Sequence, residues 1–297
     1  MRLAPFASRS VAVRLLIGLA VTPLLLAPAI GHAADGGGSD SGSPDATPQK
    51  VVFLDTFDGP QDGVPDLTKW TYDIGNQGGW GNHEWESYTA KPENSGLDGK
   101  GHLRITALRT RHLTDNGFSF TSARLKTISN PFMYGRAEAR IKVPAGQGLW
   151  PAFWMLGISA AGLGWPNCGE IDVMEATGRK PNLVYGAVHG PVKAFARGSE
   201  PYHHSTNTAL PRPVASDWHT FTVDSSPGHL RWYVDGRLFQ ALDKATFPPD
   251  QPWVYDRPFQ LLLNLAIGGE FAGAPTSLTR FPASMLVDYV RVTTTAS

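Results

Sequence analysis

Beyond about residue 50 the chain alternates apolar and polar positions in short runs, the period-two pattern of strands with one buried and one exposed face. Such runs cover residues 51–53, 102–108, 122–126, 135–143, 154–156, 170–174, 184–189, 219–223, 230–234, 259–266 and 285–292. Turn-forming residues separate them, as in Leu97-Asp98-Gly99, Pro144-Ala145-Gly146 and Gly268-Gly269. Residues 231–239 read as a hairpin with Asp235-Gly236 as its turn. Helical periodicity is almost absent, and neither an internal repeat nor a nucleotide-binding glycine motif is evident. Many short strands with few helices predict an all-β fold, a two-sheet antiparallel β-sandwich.

One strand carries unusual chemistry. Gly169-Glu170-Ile171-Asp172-Val173-Met174-Glu175 holds three carboxylates within six residues of an otherwise apolar segment. Side chains alternate along a strand, so Glu170 and Asp172 share one face while Ile171 and Val173 face the core. Glu175 lies at an odd offset from Glu170, and a regular strand would turn it the wrong way. A β-bulge near Val173-Met174 would return it to the carboxylate face. A helix would set Glu170 and Asp172 about 200° apart. Two carboxyl groups held about 5 Å apart are the machinery of retaining glycoside hydrolysis, one as nucleophile and the other as general acid and then base. The competing reading is a strand with a solvated acidic face whose last Glu opens a loop. A polymer substrate would lie across the concave face of one curved sheet.

Composition narrows the partners. Only 18% of the 297 residues are charged and the formal net charge is zero, which disfavours nucleic acid and anionic membrane surfaces and suits a neutral polymer. Residues 1–33 read as a secretory signal peptide, with Arg2, Arg9 and Arg14 before an apolar run over 15–30 and small residues after it. Residues 34–49 read as a flexible Gly/Ser/Pro-rich linker, and 50–297 as one catalytic domain. The expected location is therefore extracellular or periplasmic, with no membrane span in the mature chain. Cys168 is the one cysteine, so no intrachain disulfide forms; it reads as a small buried filler. Nine tryptophans are expected to divide between the core and a sugar-stacking groove.

The segment Glu170-Ile171-Asp172-Val173-Met174-Glu175 resembles the E-x-D-x-x-E signature of glycoside hydrolase family 16, in the bulged form of its laminarinase (endo-β-1,3-glucanase) branch. Trp80-Gly81-Asn82-His83-Glu84, Ser122-Ala123-Arg124-Leu125-Lys126-Thr127, Tyr134-Gly135-Arg136-Ala137-Glu138-Ala139-Arg140 and residues 147–157 match in order. So do residues 185–190, 264–269 and 287–292. The resemblance implies a concanavalin A-like jelly roll with a substrate cleft on the concave sheet. It implies Glu170 as nucleophile, Glu175 as general acid/base and Asp172 as the helper between them. It further implies substrate contacts from Asn82, Arg124, Trp150, Trp154 and His189. For Arg124 a structural ion pair is the alternative, for Trp150 and Trp154 core packing, and for His189 a structural role. Glu84 reads either as a positioning group or as an exposed acid.

No cofactor is expected for the chemistry. Many members carry a structural calcium, for which Asp288 matches a carboxylate ligand and Gly101 a backbone ligand. Two departures stand out. Asp55-Thr56-Phe57 stands where the family often has Asp-Glu-Phe, and Gly269-Glu270-Phe271 where laminarinases usually read Gly-Asn-Trp. The expected function is a secreted retaining endo-hydrolase of β-1,3 or mixed β-1,3/1,4 glucan, acting as a monomer. The alternatives are hydrolysis of another neutral β-linked polymer such as galactan, a wall-remodelling transglycosylase, and a non-catalytic β-glucan-binding module.

Overall fold

A computed structural model describes residues 49–110, 119–128, 131–158, 163–192 and 201–295. The expected signal peptide and nearly all of the expected linker lie outside these residues, and Gln49 already begins the first strand. The strands in chain order are β1 (Gln49–Asp55), β2 (Trp70–Asp73), β3 (Glu86–Tyr88), β4 (Ser95–Leu97), β5 (Leu103–Arg109) and β6 (Phe120–Ser122). There follow β7 (Arg124–Thr127), β8 (Gly135–Lys142), β9 (Leu149–Gly157), β10 (Glu170–Glu175), β11 (Leu183–Pro191) and β12 (Pro201–Ala209). The last are β13 (His219–Ser226), β14 (His229–Val234), β15 (Arg237–Asp243), β16 (Phe259–Ile267) and β17 (Ala283–Thr295). Gly269–Ala272 forms a single helical turn, α1. Among the described residues no helix is long and apolar enough to cross a membrane.

Two sheets result. One runs β15-β14-β13-β8-β17-β5-β6-β3, with β1 added on β17 and β4 on β5; the other runs β12-β11-β10-β9-β16-β7-β2. Pairing is antiparallel except between β3 and β6. Every run expected from the sequence overlaps a strand, the run over 122–126 being divided between β6 and β7, and the hairpin turn has both Asp235 (φ 49°) and Gly236 (φ 74°) in the left-handed region. The sequence pattern misses β12 because it is polar along most of its length, an edge strand that buries Tyr202 alone. It misses β2, β3 and β4 and reaches only the last residue of β6, because three or four residues are too few to show a period.

The core between the sheets is apolar and continuous. Trp70, Phe153, Phe221, Trp232, Phe259, Leu103 and Ile105 are fully buried in it, each worth about 1.5–3 kcal/mol relative to exposure. Gly186 lies on the inner face of β11 because a Cβ there would meet the Trp232 ring at 2.8 Å. Trp232 crosses from β14 and donates its indole N–H to the carbonyl of Asp172 at 2.8 Å. That carbonyl sits where the ladder of β10 is broken, since the register of β10 shifts between Asp172 and Glu175 against β11, and between Asp172 and Met174 against β9. Replacing Trp232 by Phe keeps the ring but orphans this carbonyl. The expected cost is about 1–3 kcal/mol, read as a fall of several degrees in Tm by calorimetry.

Candidate active site

The bulge that the spacing demands is present in β10. Val173 and Met174, consecutive in sequence, are both fully buried, as is Ile171. Two inward residues in a row shift the alternation by one, so Glu170, Asp172 and Glu175 all face outward. The register then arranges the outer face as rows running across the strands. Glu175 lies between Tyr185 of β11 and Ala152 of β9, and the row continues through Asn264, Arg124 and Asp73. Asp172 lies between Ala187 and Trp154, followed by Leu262 and Lys126. Glu170 lies between His189 and Leu156, with His203 beyond His189. On this same face, beside the acids, Ala152, Trp154 and Leu262 form a small apolar cluster of their own, with Leu156 against it.

The contacts give each acid a different setting. Glu175 accepts the Trp150 indole N–H at 2.9 Å. His189 Nε2 stands 3.2 Å from Asp172 Oδ2 and 3.7 Å from Glu170 Oε1. Asp172 is only 4% exposed, and its Oδ2 makes no aligned hydrogen bond. Burial pushes all three carboxyls up, each to about 8. The charge of Asp172 raises Glu170 and Glu175 further, while His189 acts the other way on both and the Trp150 N–H lowers Glu175. Three anions this close cannot all stay ionised, so the trio titrates as one unit and keeps at least one proton at neutral pH. Cys168 is buried beside it, its thiol pushed up to about 11 by burial and by the charge of Glu170, and is inert as a nucleophile.

Known proteins resemble this chain in sequence and fold. The family model described as glycosyl hydrolases family 16 matches residues 82–288. The chain belongs to glycosyl hydrolase family 16. It is 38% identical over 257 residues to a beta-glucanase of Rhodothermus marinus, covering 82% of this chain and 84% of that one. It superposes on the laminarinase catalytic domain of Thermotoga maritima with a TM-score of 0.75 at 38% identity, over 84% of this chain and 99% of the other. For the endo-beta-1,3-glucanase of Pyrococcus furiosus the TM-score is 0.73 at 39% identity, over 84% and 95% of the two chains. The family-16 member is thus a laminarinase-like glycoside hydrolase with a jelly-roll fold.

Within this family-16 site the remaining expected residues fall into place unevenly. Arg124 is stacked between Trp80 at 4.5 Å and Trp154 at 4.7 Å, with its Nε 3.0 Å from Asp73. The ion-pair reading therefore holds for its Nε, and one face of Trp154 is covered by guanidinium. Trp154 is 9% exposed and donates to Asn264 Oδ1 at 2.7 Å, so it is closer to a core residue than to a free stacking platform. Trp150 is half-buried and sits beside the acid/base candidate. Asn82, on the exposed loop before β3, donates to Glu84 at 3.1 Å. Glu84 is a positioning group and not an exposed acid: it is 5% exposed and also accepts the Tyr88 hydroxyl. His189 stacks on His203 with ring centroids 4.6 Å apart. Sequence reasoning passed over Trp80 as a site residue although it stood in a quoted motif; Asp73 and His203 carried no signal at all.

The Gly269-Glu270-Phe271 departure lies beside the acids. Phe271 packs edge-on against Trp150 and against Tyr185, each at 5.1 Å, building an aromatic wall next to Glu175. The expected metal residues lie on the other sheet. The β5–β17 register ends at Leu103 opposite Val287, which puts Asp288 beside the turn carrying Gly101. A Cβ on Gly101 would meet Asp58 Oδ1 at 3.6 Å and the Thr56 carbonyl at 3.9 Å. Asp288 Oδ2 accepts Arg140 at 2.6 Å, and among the described residues Oδ1 makes no such bond. These donors are all oxygen, the chemistry calcium requires, and the carbonyl of Thr56 serves whatever its side chain.

The sign of the pH effect follows from the raised carboxyls. Groups whose folded pKa lies above the unfolded value stabilise fully below that unfolded value, and the stability is lost as pH rises through the folded pKa. Tm is therefore expected to fall between about pH 4.5 and about pH 8, and Glu175→Gln to flatten that slope while raising Tm at the alkaline end. Calorimetry across this range checks it.

Proposed function

We propose that the chain is an exported endo-hydrolase that cuts β-1,3-glucan with retention of anomeric configuration. The observation that carries this reading is the outward row of Glu170, Asp172 and Glu175, with Glu175 alone bonded to an indole N–H. Glu170 attacks the anomeric carbon while Glu175 gives its proton to the departing glycosidic oxygen. A covalent glycosyl-enzyme forms. Glu175, now ionised, takes a proton from water, which attacks the same carbon and releases Glu170. Asp172, buried on the same face and opposite His189, accepts or returns the proton that the crowded trio cannot do without. Trp80, Arg124 and Trp154 form a stacked plate on the β7 side, and Trp150, Phe271 and Tyr185 form the wall beside Glu175.

The names of the relatives support β-1,3-glucan, and the leader expected over residues 1–33 supports export. Phe271 in the wall favours testing neutral galactans as the competing polymer. Calcium, when bound, would be held by the carbonyls of Thr56 and Gly101 and by Asp288. It would tie the loop after β1 to β17 and take no part in the chemistry.

Two outcomes are expected. Glu170→Gln and Glu175→Gln each lower reducing-sugar release from laminarin by at least about 10³-fold without lowering Tm, and proton NMR of early products shows the β anomer. Near wild-type turnover in either variant, or an α product, would sink the mechanism. Calcium chloride raises Tm and a chelator lowers it in wild type, and Asp288→Asn removes the response.

A further inference from the structure

A second pair of carboxyls lies buried outside the catalytic trio. Glu86 on β3 is fully buried and Glu84, two residues earlier, is 5% exposed. One oxygen of Glu86 accepts the backbone N–H of Ile267. The other, Oε1, has no donor. Glu84 is already served at both oxygens, by Asn82 Nδ2 at 3.1 Å and by the Tyr88 hydroxyl at 3.0 Å. Asn76 holds the two residues together from behind, its side-chain amide bonding the carbonyls of both Glu84 and Glu86. No lysine or arginine pairs with either glutamate among the described residues; Arg124 acts on the neighbouring Tyr88.

We infer that Glu86 is a neutral acid that donates a hydrogen bond to the Glu84 carboxylate, and that this pair positions the β7 side of the cleft. A buried charge without partner costs several kcal/mol, whereas a proton on Oε1 supplies a donor to a group with spare lone pairs. The proton belongs to Glu86 because Glu84 already accepts two donors and Glu86 only one. Burial, then the charge of Glu84, hold Glu86 well above the usual carboxylate range, which agrees with the geometry. From Glu84 the bonds run outward. Tyr88 accepts Asn264 Nδ2 at 3.1 Å, and Asn264 accepts the Trp154 indole, whose face carries Arg124. Asn82 hangs on the same carboxylate. Glu86 is thus a positioning residue that touches no substrate.

The effect on substrate rests on the glucanase reading; the pair itself does not. The test compares wild type, Glu86→Gln and Glu86→Ala by infrared difference spectroscopy, by Tm against pH, and by kinetics on laminarin. Gln keeps a neutral donor of the same length. Glu86→Gln is expected to match or exceed wild-type Tm above pH 7, and to keep kcat/KM within about twofold. It should also remove one protonated-carboxyl C=O band, seen at pH 7 as a wild-type-minus-Glu86→Gln difference to which the catalytic trio, common to both proteins, does not contribute. Glu86→Ala is expected to lower Tm and to raise KM about fivefold with kcat little changed. A Glu86→Gln variant as unstable as Glu86→Ala, or the absence of that difference band, would overturn the pair. If wild type released no sugar from laminarin, the substrate reading would fall while Tm and the infrared band still decided the pair.

Discussion

Val173 and Met174 both point into the core, and the outer face of β10 is built on that double insertion. A regular strand would bury Glu175 between the sheets, where an unpaired carboxyl has no donor. The extra residue instead seats a second apolar side chain inside and turns Glu175 toward Trp150. The broken ladder leaves the Asp172 carbonyl without its strand partner, and Trp232 reaches across from the opposite sheet to supply one. Gly186 clears the path for that ring. One irregularity in one strand therefore draws on residues from three others, and a change in any of them moves the acids.

The constraint on charge is as strict as the constraint on direction. Three raised carboxyls on one face destabilise the fold at neutral pH, and the apolar core between the sheets offsets this. The acids are also flanked on the β9–β16 side by an apolar patch of Ala152, Trp154 and Leu262, which keeps water from that side of them. Dryness is what makes Glu175 a usable acid at neutral pH, and it is also what makes the site costly to hold.

Much of this was legible in the chain. Alternation located the long strands because their two faces meet different media, and the odd spacing of Glu170 and Glu175 demanded the bulge. The mostly polar β12 was illegible because this edge strand buries one side chain, Tyr202, and one buried position shows no period. Its contribution, His203 stacked on His189, was hidden with it. Arg124 was legible as a motif residue but not as the filling between Trp80 and Trp154, because the three come from separate segments that meet only across the sheet and its neighbouring loop. Glu84 was undecidable because nothing in its neighbourhood of sequence announces that Tyr88 and Asn82 turn back onto it.

The two buried acid groups meet the same difficulty in opposite ways. Around Glu84 and Glu86 most polar atoms are served: Asn76 Nδ2, Asn82, Tyr88 and the Ile267 N–H leave only Glu86 Oε1 open among the carboxyl oxygens, with Asn76 Oδ1 unpartnered beside them, and one fixed proton completes the carboxyl pair. Around Glu170, Asp172 and Glu175 the donors are too few. Asp172 Oδ2 faces only His189 across an unaligned 3.2 Å gap, and Glu170 and Glu175 are partly open to solvent. A saturated network locks its proton and so holds geometry; an unsaturated one leaves its proton several near-equivalent homes and so can pass it on. The number of donors per carboxyl, more than burial itself, separates the pair that positions the cleft from the trio that works in it.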